Sequence, residues 1–412
     1  MNTHDPQKIT EELRDQLALP DSPFCFLFGA GTSSSINIAP LPAPGEKRGH
    51  IPLIPSIAPL TQQCKVAASS LGDNFKKAWE LLEEQCEQSK KANNIENILS
   101  LVQSKIEAIG SGETLLNLEK KEIEKLESNI RKTIAKSVTP KEKEIPLLTP
   151  HHLFASWMKR ANRNQPIEIF TTNYDLLIER ALEHEQLPFF DGFVGSHEPF
   201  FHVDCIEDEK FLPPKDWARL WKIHGSVNWQ IKTINGRNTI IRKDVTESGE
   251  MILPSHRKYD ESRKQPYTAL LDRLSKIINN EHSLLITCGY SFGDQHINSI
   301  IFSALENRPT SNVISLQYGT LNEDDSLVKS AIKKDNLTVL GLNAGVIHST
   351  WGKWKLLRPI DERTKSFMDI VFDSNADPES TNDALNGLLR LGDFNWFCEF
   401  LLTMERRVGD KK

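Results

Sequence analysis

The stretch Ile167–Asp175, IEIFTTNYD, decides how the rest of the chain is read. Ile167, Ile169 and Phe170 form the apolar end of a buried strand entered from Pro166, and at Thr171 the character turns small and polar through Thr172, Asn173 and Asp175. Leu176, Leu177, Ile178 and Ala181 then recur at helical spacing, which predicts a helix beginning close to Asp175. Open α/β sheets bind ligands where a strand ends in polar residues and hands over to a helix. The start of a helix also leaves backbone N–H groups free to face an anion or a ribose. A plain helix cap suits the same residues, with Asn173 or Asp175 accepting from the first-turn amides.

Three further strand ends share this design. Phe24–Phe28, FCFLF, is a continuous apolar run between Pro23 and Gly29, as expected of a central parallel strand, and it runs into Gly29-Ala30-Gly31-Thr32-Ser33-Ser34. Small residues there let a backbone approach a pyrophosphate, with the Thr32 and Ser33 hydroxyls as extra donors. The pattern departs from the dehydrogenase fingerprint, because Ser34 stands at its third glycine and no acidic residue lies about twenty positions on. Taken alone, the segment slightly favours an ordinary glycine turn. Leu220–Ile223 is a short apolar strand ending in His224-Gly225-Ser226; a lone histidine is usually structural, but this one occupies the strand-end position that Asn173 occupies on its own strand. Histidine is also the side chain best suited to exchange a proton near neutral pH. Ser283–Cys288 is another buried strand, opening into Gly289-Tyr290-Ser291-Phe292-Gly293-Asp294 before a helix carrying Ile297, Ile300, Ile301 and Leu305. Strands are also expected at Asn312–Gln317 and Leu337–Leu340.

Between and around these strands the chain changes character. Residues 38–59 are so rich in proline and glycine that no regular element is expected there. Residues 72–138 carry three amphipathic stripes, the first through Phe75, Ala78, Trp79, Leu82 and Cys86, the second from Ile95 to Ile109, the third from Ile123 to Ile134. They predict a helical insertion, with the charge run at Lys120–Lys132 as a solvated helix face. Ile9, Leu13 and Leu17 mark a short N-terminal helix, and Thr149-Pro150 starts another. The segment after Trp351 is expected to be helical and ends in the stripe Phe397, Phe400, Leu401 and Met404.

Composition bounds the function. A length of 412 residues allows one main domain with additions, and 38% hydrophobic with 26% charged residues is ordinary for a globular protein. A formal charge of −6 argues against nucleic acid as a direct, chain-wide partner. No secretory h-region and no membrane-length apolar run is visible, so a cytoplasmic protein is expected. The cysteines at 25, 64, 86, 205, 288 and 398 include no C-x-x-C pair, which favours reduced thiols, and Cys25 and Cys288 read as small core residues. His197, His202, Asp204 and Cys205 lie together in sequence without a pair at zinc-ligand spacing.

Taken in order, GAGTSSS, TTNYD, IHGS and GYSFGD resemble the sirtuin superfamily, and within it the sirtuin-like domains of bacterial antiphage defence. Gly29, Ala30, Gly31, Thr32 and Ser33 resemble the family's phosphate loop. Thr171–Asp175 is similar to its T-Q-N-I-D element, with Thr172 and Tyr174 as departures; His224-Gly225 is similar to its catalytic histidine-glycine pair, and Gly289-Tyr290-Ser291 to its late cofactor loop. The similarity extends through Met251–Pro254. The resemblance implies a Rossmann-like parallel sheet over residues 24–71 and 139–345, flanked by an N-terminal helix in 1–23, a helical insertion at 72–138 and a helical extension at 346–412. It implies NAD as the ligand, with His224 and Asn173 as catalytic residues and Thr172, Asp175, Gly289, Ser291 and Asp294 joining the phosphate loop in binding it. Protein deacetylases of the superfamily build a peptide cleft on a zinc ribbon of two C-x-x-C pairs, which this chain lacks. Zinc is therefore not expected, water is the expected acceptor, and the expected activity is that of an NAD glycohydrolase depleting NAD during infection. An NAD- or ADP-ribose-sensing subunit without turnover and an NAD-dependent deacylase are the alternatives. The amphipathic insertion and the C-terminal stripe suggest a homo-oligomer. The resemblance adds a HerA-type DNA-translocating ATPase as expected partner, with an Argonaute-type partner second.

Overall fold

The computed structural model describes residues 2–41, 48–89, 92–110, 112–234, 236–245, 266–374 and 385–404. Met251–Pro254 lie outside these residues. The strand over Phe24–Phe28 has no exposed residue and pairs in parallel with Leu284–Cys288 on one side and Glu168–Thr171 on the other. Its side chains alternate between two cores: Phe24, Phe26 and Phe28 meet Phe154, Trp157 and Phe397, while Cys25 and Leu27 face Leu274, Ile301 and Trp221. Burial on both faces is the reason the run is continuously apolar.

Six parallel strands form the centre of a ten-stranded sheet. From one side to the other they are Leu337–Leu340, Asn312–Leu316, Leu284–Cys288, Phe24–Phe28, Glu168–Thr171 and Ala218–Lys222. Numbered along the chain this is the order 6-5-4-1-2-3, the doubly wound Rossmann arrangement, so the expected Rossmann-like α/β class holds. The order reverses between Phe24–Phe28 and Leu284–Cys288, which places the ligand crevice at the C-terminal ends of those two strands.

Some elements differ from the sequence reading. A helix occupies Ile57–Ser69, so the proline-rich stretch is not irregular throughout; Pro59 sits in the first helical turn, where a missing N–H leaves no intrahelical bond unmade. This helix packs with those at Asp73–Gln88, Ile95–Ala108 and Lys120–Val138 around one separate core containing Cys64, Trp79, Leu82, Ile98 and Ile130. The region after Ala344 is not simply helical. Ala344–Ile347 and Thr350–Trp354 form an antiparallel hairpin on the edge of the main sheet, turning at His348 and Ser349, both with positive φ. Thr3–His4 adds a short strand outside it. The helices Lys365–Val371 and Phe394–Thr403 follow, and the C-terminal stripe faces inward: Phe397, Phe400 and Leu401 are fully buried. The stripes of the insertion are likewise buried against one another, so neither supplies the exposed apolar surface from which an oligomer was expected.

Candidate active site

The four strand ends converge on one cavity of about 460 Å³. Of the expected site residues, Gly29, Ala30, Gly31, Ser33, Thr172, Asn173, Asp175, His224, Gly289, Ser291 and Asp294 line it. Thr32 does not; it is fully buried beneath the turn. The remaining wall comes from the helical insertion and its approach, through Ile54, Ile57, Leu60, Ile95, Leu99, Ile134 and Val138. The sequence reading assigned none of these to the site.

A hydrogen-bond network lies below the cavity, and the two protons of the Asn173 amide are shared among three acceptors in it. Asn173 Nδ2 lies 3.1 Å from the Gly29 carbonyl oxygen, 3.0 Å from Thr32 Oγ1 and 2.8 Å from Ser33 Oγ. The Gly29 carbonyl can only accept, which fixes this side of the amide as nitrogen. The Thr32 hydroxyl donates to the Gly29 carbonyl at 2.9 Å, and the Ser33 hydroxyl donates to Asp175 Oδ2 at 2.7 Å. Asp175 Oδ1 accepts from the Leu177 amide at 3.0 Å, so Asp175, just ahead of the N-cap Leu176, holds the first amide of the helix Leu177–His184 while it lines the cavity. The helix-start reading of the TTNYD stretch is thus met by a residue that also faces the cavity. The expectation that Thr32 and Ser33 offer free hydroxyl donors to a phosphate is corrected, because the Thr32 proton is engaged within the turn and the Ser33 proton by Asp175.

The glycines have a local reason as well. Gly29 N–H donates to the Cys288 carbonyl at 3.1 Å and Gly31 N–H to the Gly289 carbonyl at 3.0 Å. A Cβ on Gly29 would stand 2.4 Å from the Gly289 oxygen, and one on Gly31 would stand 2.5 Å from the Gly289 Cα. Gly289 itself has φ +65° and would place a Cβ 2.5 Å from the Thr32 nitrogen. Two glycine loops are therefore interlocked backbone to backbone, and the Gly31 amide is engaged in that contact rather than aimed into the cavity.

His224 is held between two carboxylates. Its Nε2 is 3.1 Å from Asp294 Oδ2, and Asp294 Oδ1 accepts the His296 and Ile297 amides at 2.8 and 3.1 Å as cap of the helix Gln295–Asn307. On the other side Nδ1 is 3.6 Å from Glu96 Oε1, too long for a hydrogen bond, so Nδ1 has no hydrogen-bond partner and the contact is ionic. Burial by itself lowers the affinity of the ring for a proton, but the Asp294 hydrogen bond and the nearby Glu96 outweigh it and raise the pKa to about 9. Burial pushes Asp294 the other way, up, yet His224 and the two amides hold its carboxyl well below the usual range. His224 is accordingly an imidazolium at neutral pH in the ligand-free protein, which departs from the expectation of a ring exchanging its proton near neutrality.

Sequence reasoning did not find Glu96 or Lys222, and it placed Tyr290 in the late cofactor loop without giving it a role. Lys222 is buried at the end of its strand, with Nζ on the Asp175 carbonyl and 2.8 Å from Glu179 Oε1, and it fixes the backbone that presents Asn173 and Asp175. Tyr290 lines the cavity and donates to Asn298 Oδ1 at 2.9 Å. Among the described residues no group of three or more His, Cys, Asp or Glu is arranged to hold a metal ion. The described cysteines form no disulfide with one another and are buried. No helix among the described residues is long and apolar enough to cross a membrane.

Residues 167–340 match the family model of the SIR2-like domain. The matched span contains the TTNYD, IHGS and GYSFGD strand ends and begins after the first glycine turn. Together with the strand order it supports a sirtuin-like domain, a class that binds NAD. No curated protein matches the chain.

Proposed function

We propose that this cavity binds NAD and hydrolyses its nicotinamide–ribose bond to release nicotinamide and ADP-ribose. The observation that carries the proposal is the convergence of Asn173, Asp175, His224 and Asp294, from three different strand ends, on one cavity at the topological switch point. The lining supports it chemically. Glu96, Asp175 and Asp294 make the cavity acidic, which suits a cationic nicotinamide ring and the positive charge that develops on the ribose as the bond breaks. The C–N bonding pair leaves with nicotinamide, the oxygen of water bonds to the ribose carbon, and that water loses a proton. Asn173 Nδ2 is engaged with the glycine turn, so its Oδ1 is the atom left to orient a ribose hydroxyl or the water. Once deprotonated, His224 is the base for that proton. Water is the acceptor in this reading because the chain carries no C-x-x-C pairs from which to build a peptide cleft.

A second reading is a subunit that binds NAD or ADP-ribose without turnover. The two carboxylates beside His224, Asp294 at 3.1 Å and Glu96 at 3.6 Å, favour it, since they stabilise the imidazolium, which cannot act as a base. The two are separated by calorimetric titration of NAD followed by chromatography of the same sample: binding with intact NAD supports the sensor, binding with nicotinamide release the hydrolase. Depletion of NAD in antiphage defence, gated by a HerA-type ATPase, belongs to the same proposal and is tested by co-expression with such an ATPase. Absence of co-purification together with unaltered NAD turnover would remove it.

A further inference from the structure

We propose that Glu96, carried on the helical insertion, is a positioning residue of this site: with Asp294 opposite, it clamps the His224 ring by charge, so that the insertion sets the protonation state His224 presents to the cavity.

The position of Glu96 is fixed from several directions. Asn94 caps its helix, with Oδ1 accepting the Asn97 amide at 3.0 Å, and the Ile95 amide donates to Thr61 Oγ1 of the neighbouring helix at 2.9 Å. Ile95, Ile98 and Leu99 anchor the same turn in the core of the insertion. Glu96 therefore reaches His224 from a rigid element, although its side chain is 31% exposed toward the cavity. A glutamate in a first helical turn is common for a reason unrelated to ligands, since it complements the helix dipole. Here, though, the carboxylate is 3.6 Å from a buried Nδ1 that has no other polar partner.

The groups facing His224 from the surrounding elements define its charge. Asp294 comes from the helix beyond the last glycine loop, and Glu96 from the insertion. Tyr174 lies with its ring centroid 6.4 Å away, and burial raises its pKa, as it does for Tyr290, so both are neutral. Lys222, the last residue of the strand that leads to His224, turns toward Glu179 and the Asp175 carbonyl. Two carboxylates thus act on one ring, and only Asp294 is engaged in capping a helix. Glu96 is the one that can be altered without dismantling a cap.

The clamp itself does not depend on what the cavity binds; its effect on turnover rests on the NAD-cleaving reading, and the experiment separates the two. Imidazole resonances of the ligand-free full-length protein are titrated in wild type, Glu96→Gln and Glu96→Asp, with His224→Gln used to assign the signal. In wild type His224 titrates near 9. Glu96→Gln, equal in shape but uncharged, lowers that value by about 1 unit or more, and Glu96→Asp, which keeps the charge but withdraws it, gives an intermediate value. A His224 titration in either variant identical to wild type overturns the clamp, and if Glu96→Gln does not fold the aspartate variant carries the test. With NAD present, the acidic limb of kcat/KM moves to lower pH in step with the titration. If the resonance shifts while that limb stays still, the clamp stands and His224 is not the base.

Discussion

The amide of Gly31 donates to the carbonyl of Gly289 at 3.0 Å, joining two loops that are 258 positions apart in the chain (289 − 31). This contact is made at the switch point between the Phe24–Phe28 and Leu284–Cys288 strands, and it holds the floor of the cavity in place. The residues around it lead to separate tests.

Gly289→Ala must place its Cβ 2.5 Å from the Thr32 nitrogen at φ +65°. The left-handed backbone costs about 1 kcal/mol in a non-glycine residue and the backbone clash adds to it. The variant melts well below wild type. Gly293, in the same loop, has only Ser291 Oγ near, at 3.4 Å, so Gly293→Ala retains the wild-type melting temperature. Equal melting of the two variants would mean the loops are not interlocked.

Asn173 joins the two polar strand ends through three acceptors, so its substitution affects more than chemistry. Asn173→Ala removes the amide donor from the Thr32 and Ser33 hydroxyl oxygens, while the Gly29 carbonyl keeps the Thr32 hydroxyl and amide, at a cost of about 1–3 kcal/mol. Asn173→Asp is the more damaging change, because an acceptor then faces an acceptor. Denaturant melts give the order wild type, alanine, aspartate. An aspartate variant as stable as wild type would remove the assigned network.

The charge state of His224 links stability to pH. Its folded pKa of about 9 lies above the ordinary 6.5, so its contribution is complete below 6.5 and is lost as pH rises toward 9. The upper bound on that loss is about 3 kcal/mol. The difference in melting temperature between wild type and His224→Gln therefore shrinks steadily over this window. A difference that is constant or grows with pH contradicts an imidazolium held by Asp294 and Glu96.

Much of the fold is legible in the sequence, because burial on both faces of a parallel sheet produces apolar runs such as FCFLF and, interrupted only by Thr287, LLITC. Each of these runs then stops at a glycine or a small polar residue, which is why the strand ends of the cavity are visible as well. Glu168 is less transparent: it sits inside a strand with Arg219 at 2.7 Å, Trp221 at 2.6 Å and Arg273, a buried ion cluster that breaks the apolar pattern without belonging to the site. The hairpin after Ala344 is obscured because its edge strands include exposed residues such as Thr350. Glu96 could not be found from spacing. In its helix it reads as an ordinary first-turn acid, and its relation to His224 exists only because the insertion folds back over the sheet. Lys222 is hidden because its partners, the Asp175 carbonyl and Glu179, follow the end of the neighbouring strand and are distant in sequence.

The central claim is tested most directly by following NAD with the purified full-length protein by proton NMR at pH 7–9. The account predicts nicotinamide and ADP-ribose in equal amounts, at a rate that rises with pH as His224 releases its proton and that falls by about 10²–10⁴ in a folded His224→Ala variant. NAD that neither binds nor disappears, or a His224→Ala variant as fast as wild type, would contradict it.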